Sequence, residues 1–129
     1  MPRNKIDFDT VRRIALGLAD VEESTMYGSP ALKVRGKLLT CLPVHRSAEP
    51  DSLAVRIDFD QRAELMADAP DVYYLTDHYV NYPVVLVRMT RIHLDALTDL
   101  LGIARRFVTA KKVRGNRIVR KQKDSRAWR

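Results

Sequence analysis

Apolar positions recur at helical spacing near both ends of the chain and at strand spacing between them. Phe8, Val11, Ile14, Ala15 and Leu18 fall on one helical face, with Arg12 and Arg13 on the other. This predicts an amphipathic helix capped by Asp7 or Asp9 and ending near Ala19-Asp20. The clearest period is the last one: Leu94, Leu97, Leu100, Leu101, Ala104, Phe107 and Val108. Asp95 and Asp99 lie early and Arg105 and Arg106 late, the polarity that a helix dipole favours.

The middle of the chain reads as short strands. Residues 21–30 hold Ser24, Thr25, Gly28, Ser29 and Pro30 and read as a long loop. Ala31–Val34 and Lys37–Leu42 flank Arg35-Gly36, a two-residue hairpin turn in which Gly36 supplies positive φ. Residues 43–50 form the next loop. In Ser52–Ile57, Leu53, Val55 and Ile57 alternate with Ala54 and Arg56, which predicts one buried and one wet face. Asp58 and Gln61 are spaced as a capping box for a short helix that stops before Pro70. Val72–Leu75 is a brief strand and Thr76–Asn81 a loop. Val84–Met89 is apolar on both sides, as a central strand is. The order α-β-β-β-α-β-β-α predicts the α+β class. We expect one compact domain over residues 1–110, with a mainly antiparallel sheet of about five strands and helices on one face. The helices fall at the N-terminus, the middle and the C-terminus.

Charge changes this picture at one place. The whole chain of 129 residues is +7. Residues 111–129 carry Lys111, Lys112, Arg114, Arg117, Arg120, Lys121, Lys123, Arg126 and Arg129 against Asp124 alone, so the preceding part is close to neutral. We read the last segment as a basic tail, expected to be flexible, that attracts phosphates without sequence preference and with steep salt dependence. The plainer alternative is a solubilising tail. Lys33, Arg35 and Lys37 gather around the hairpin turn and form a second candidate phosphate contact, whose alternative is an ordinary wet face. Asp51, Asp58 and Asp60 blunt the field there.

Two stretches carry a family resemblance. One is residues 21–37, with Met26-Tyr27-Gly28-Ser29-Pro30 at its centre. The other combines Asp58-Phe59-Asp60-Gln61-Arg62, Thr76-Asp77-His78-Tyr79 and Tyr82-Pro83. Over residues 8–110 these resemble the MmcQ/YjbR-like family of small bacterial proteins. The resemblance implies a compact α+β fold related to the secretion-chaperone architecture and likened to a double-wing DNA-binding arrangement. Members often carry an aromatic residue after the Tyr-Pro pair. Here Val84 stands in that place, so no stacking role is implied for it.

The best polar cluster is Asp77-His78-Tyr79. Read as a pocket, His78 supplies a tunable donor or base, Asp77 orients it, and Tyr27, Tyr79 and Tyr82 form walls. Read as structure, the same side chains satisfy backbone groups of an irregular loop. No G-x-S-x-G accompanies them, and Cys41 sits in an apolar strand where a thiol is inert. His45, His78 and His93 are far apart in sequence, and none has a second histidine ligand at i+3 or i+4, so no metal site is expected. No cofactor is expected either. A single cysteine excludes an internal disulfide and suits a reducing compartment. The polar start and the lack of a run near the ~20 apolar residues that span a bilayer predict a cytoplasmic protein with no membrane partner. A monomer is the working expectation. The function expected from the sequence is non-enzymatic nucleic-acid association, largely through phosphates. The alternatives are a small-ligand binder or enzyme using the tyrosine–histidine pocket, and a protein-interaction adaptor.

Overall fold

The computed structural model of the protein describes residues 6–110. The cationic positions Lys111, Lys112, Arg114, Arg117, Arg120 and Lys121 lie outside the described residues. Three helices and one six-stranded antiparallel sheet make up the described fold. In chain order these are α1 (Phe8–Leu16), β1 (Val21–Met26), β2 (Ser29–Val34), β3 (Lys37–Cys41), β4 (Ser52–Arg56), α2 (Phe59–Asp68), β5 (Tyr73–Tyr74), β6 (Val84–Arg88) and α3 (Leu94–Thr109). The sheet order is β1-β2-β3-β4-β6-β5. The α+β class and the positions of the helices are those predicted from the sequence.

The stretch expected to be a long loop is instead a strand. Val21–Met26 pairs with Ser29–Val34, in a register running from Val21 opposite Val34 to Met26 opposite Ser29. Tyr27 and Gly28 close this hairpin with φ of 54° and 81°, the double positive φ of a type I′ turn. Arg35 and Gly36 close the next one with φ of 52° and 82°. β1 is an edge strand whose side chains are exposed or half-buried. It needs no apolar alternation, because its backbone pairing with β2 holds it.

Helices cover one face of the sheet. Val11 and Ala15 of α1 and Leu97, Leu100, Leu101, Ala104 and Val108 of α3 pack on Leu32, Leu39, Leu53, Val55, Val85 and Val87. The opposite face was expected to be wet at β4, and it is not. Ser52 and Ala54 are buried there, and Ala54 joins Ala31, Leu38, Cys41, Val84, Leu86 and Tyr79 in a second apolar cluster. Loops rather than helices provide this cover. The continuous apolar run of β6 follows directly, since Val85 and Val87 serve one face and Val84 and Leu86 the other. A register shift between Leu32 and Lys33 breaks the β2–β3 pairing. A bulge of this kind changes which face later residues take, and it puts Cys41 on the same side as Leu38.

Candidate functional site

The loop-covered side of the sheet holds a cleft of about 650 Å³. Its floor is Leu38, Cys41, Ala54 and Val84, from β3, β4 and β6. One wall is the loop after β3, with Leu42, Pro43, Val44, His45 and Arg46. The other is the loop before β6, with His78, Tyr79 and Tyr82. Met26 and Tyr27, at the tip of the first hairpin, lie at one side, and Tyr27 is 73% exposed. Arg56, the last residue of β4, completes the lining.

The two loops are tied to each other. The Ser47 and Thr76 hydroxyls are 2.8 Å apart. The rings of His45 and His78 stack face to face, with centroids 3.7 Å apart and planes within 9°. Tyr79 stands edge-on to both, 4.7 Å from His78 and 6.2 Å from His45. His45 Nδ1 accepts the Ser47 backbone N–H at 3.0 Å. The neutral His45 ring therefore carries its proton on Nε2. Desolvation, then the neighbouring His78 and Arg46, lowers the His45 pKa. Burial raises that of the Tyr79 hydroxyl, offset in part by a hydrogen bond with the His45 backbone.

Each loop is also anchored from outside. Glu49 pairs with the Arg88 guanidinium through two contacts of 2.9 and 3.0 Å, and this holds the Glu49 carboxyl below its usual range. The Tyr74 hydroxyl accepts the Glu49 backbone N–H at 2.8 Å. From α2, the Arg62 guanidinium donates to the carbonyls of Tyr82 at 2.8 Å, Val80 at 3.0 Å and Val84 at 3.2 Å. Burial lowers the Arg62 pKa, and its other face lies over the Phe59 ring at 4.7 Å.

Of the pocket residues singled out in the sequence, the fold brings Tyr27, His78, Tyr79 and Tyr82 together around this cleft. Asp77 is exposed and is not among the lining residues. The group against His78 is the His45 ring, although 33 positions separate the two. The sequence reading missed His45, Arg46 and Arg56 as lining residues and Arg62 as the anchor. The only hint was that Arg56 occupies a strand position whose neighbours are apolar.

Cys41 lies on the floor with its thiol pKa pushed up to about 11 by burial. No three His, Cys, Asp or Glu side chains come together as a metal site among the described residues. No described helix is long and apolar enough to cross a membrane. The hairpin cations stand apart from the cleft lining. Arg35 donates from Nε and Nη2 to Asp20 at 3.1 and 2.8 Å. Lys33 lies opposite Glu22 in the β1–β2 register, and Lys37 begins β3.

Comparison with solved structures shows where this fold recurs. The chain superposes on a Deinococcus radiodurans protein, DR2400, described as a DUF419 domain. The TM-score is 0.68 over 97% of this chain and 92% of that one, at 17% identity. The two share a fold. No family model matches the sequence. Among curated proteins, Rv2570 and MT2646 of Mycobacterium tuberculosis and Mb2600 of Mycobacterium bovis are each 40% identical over 52 residues. That stretch spans 40% of this chain and 40% of each relative, and all three are described as uncharacterized.

Proposed function

We propose that the protein binds a small organic molecule in the cleft between residues 42–47 and 76–83. One observation carries this reading. The loops, joined at Ser47–Thr76 and His45–His78, leave an open volume of about 650 Å³ beside that junction. Small-molecule sites occupy roughly 300–1,000 Å³ and combine apolar and aromatic walls with a few convergent polar groups. Here the walls are Met26, Leu38, Leu42, Val44 and Val84 with three tyrosines, and the polar groups are His45, His78 and Arg56. The bonds from Ser47, Tyr74, Arg62 and Arg88 hold both loops before any ligand arrives, which reduces the ordering cost of binding.

Thermal shift of the full-length protein across a metabolite panel tests this, with His78→Ala and Tyr82→Ala in parallel. Ligands of the cleft stabilise the wild type and lose most of that shift in both variants. Hits that stabilise all three proteins equally, or a panel without hits, would refute the reading.

Nucleic-acid association is a second reading, supported by the concentration of positive charge in residues 111–129. The hairpin contributes less to it, since Arg35 is already engaged by Asp20. Titration with duplex DNA at two salt concentrations decides it. Phosphate-driven binding weakens with a log–log slope of about −0.9 per phosphate neutralised. Absence of binding at low salt removes the reading.

A further inference from the structure

The charge of the cleft is one-sided. Its lining contains two arginines and two histidines, and no aspartate or glutamate. Arg46 is exposed, while Arg56 is half-buried at the end of β4. The Arg56 guanidinium carbon lies 5.5 Å from the centroid of the Phe107 ring of α3. An aromatic face of this kind supports a guanidinium through cation–π attraction and fixes its plane. Burial pulls the Arg56 pKa down, but arginine remains charged at any ordinary pH.

A fixed positive charge beside apolar walls discriminates strongly between ligands. It repels cations, and its field is only weakly screened where water is excluded. It also meets the desolvation cost of an anion, which apolar walls alone cannot do. The guanidinium fork matches the two oxygens of a carboxylate or the oxygens of a phosphate. Around it, Tyr27, Tyr79, Tyr82 and the stacked histidines offer ring faces and edges to a flat body.

We infer that the cleft selects an organic anion: a flat, largely apolar body carrying one anionic oxygen group, with that group placed against Arg56. This rests on the small-ligand reading above and narrows it to a chemical class. A cationic or neutral ligand of the same shape is discriminated against.

Two probes of nearly the same shape test the inference, naphthalene-2-carboxylate and naphthalene-2-carboxamide. Each is titrated calorimetrically into the full-length protein in the same low-salt buffer. The carboxylate should bind at least about tenfold more tightly, the ratio expected for a hydrogen bond to a charged partner. In Arg56→Met the carboxylate should fall to the affinity of the carboxamide, while the carboxamide changes little. Arg56→Lys keeps the charge and should retain part of the preference. If Arg56→Met does not fold, the wild-type ratio and Arg56→Lys decide the matter. Equal affinities, a preference for the carboxamide, or no carboxylate binding at millimolar concentration would overturn the inference. Panel hits of neutral compounds that depend on His78 and Tyr82 would then leave the small-ligand reading standing without it.

Discussion

Arg62 Nη1 donates to the carbonyl oxygen of Tyr82 at 2.8 Å. The same guanidinium reaches the carbonyls of Val80 and Val84, so one side chain of α2 holds the loop that bears three cleft residues. Hydrogen bonds from a charged donor contribute about 1.5–3 kcal/mol. Arg62→Ala should lower stability by about 2 kcal/mol in urea unfolding. It should also speed amide exchange across residues 76–83 while leaving β2 and β3 protected. Unchanged exchange in that loop would mean that the tyrosines and histidines hold it unaided.

The lowered pKa of His45 makes stability depend on pH in a defined direction. His45 has its pKa lowered from the usual 6.5 by desolvation, His78 and Arg46. Below that value the unfolded chain takes up the proton more readily than the folded one. Stability is therefore fully present above pH about 6.5, falls as pH drops below it, and levels off once folded His45 is also protonated. Melting curves between about pH 8 and pH 5 should show a larger loss for the wild type than for His45→Gln. A midpoint for His45 at or above 6.5 by NMR titration would contradict this.

Cys41 is on the cleft floor, where burial disfavours its thiolate. Its pKa of about 11, against the ordinary 9.0, leaves about a hundredfold less thiolate near neutrality. Iodoacetamide should therefore label the folded protein at least about a hundred times more slowly than the urea-unfolded chain at the same pH. Comparable rates would place the thiol in a far more open setting.

Thr40 reinforces a short seam in the middle of the sheet. β3 and β4 pair only at Thr40 with Val55 and at Cys41 with Ala54. The buried Thr40 hydroxyl donates to the Ala54 carbonyl at 2.7 Å. Thr40→Val keeps the shape and removes that bond, and should cost about 1 kcal/mol. A neutral substitution would show that the backbone ladder suffices.

Legibility in the sequence follows burial. The period of Leu94, Leu97, Leu100, Leu101, Ala104 and Val108 announces α3, and all but Leu94 are buried. Asp58 caps α2 as its spacing with Gln61 suggests, its carboxylate accepting the Gln61 N–H at 2.7 Å. β1 was hidden because Glu22 and Glu23 are exposed at a sheet edge, where backbone pairing leaves no mark on side-chain pattern. The tyrosines of the cleft were recognisable as a group. Arg62 was not recognised as their anchor, because its partners are backbone carbonyls, which any sequence supplies.

By itself, then, the sequence determined the class of the fold, its helices, most of its strands and the concentration of positive charge after residue 110. These depend on local periodicity and composition, which a linear chain displays. Only the tertiary structure decided that the second face of the sheet is covered by loops, that His45 meets His78, and that Arg56 lines the same cleft as three tyrosines. Those are contacts between residues distant in the chain. They arise from strand order, from the bulge that turns Cys41 toward Leu38, and from loop anchoring, none of which has a repeating signature along the chain.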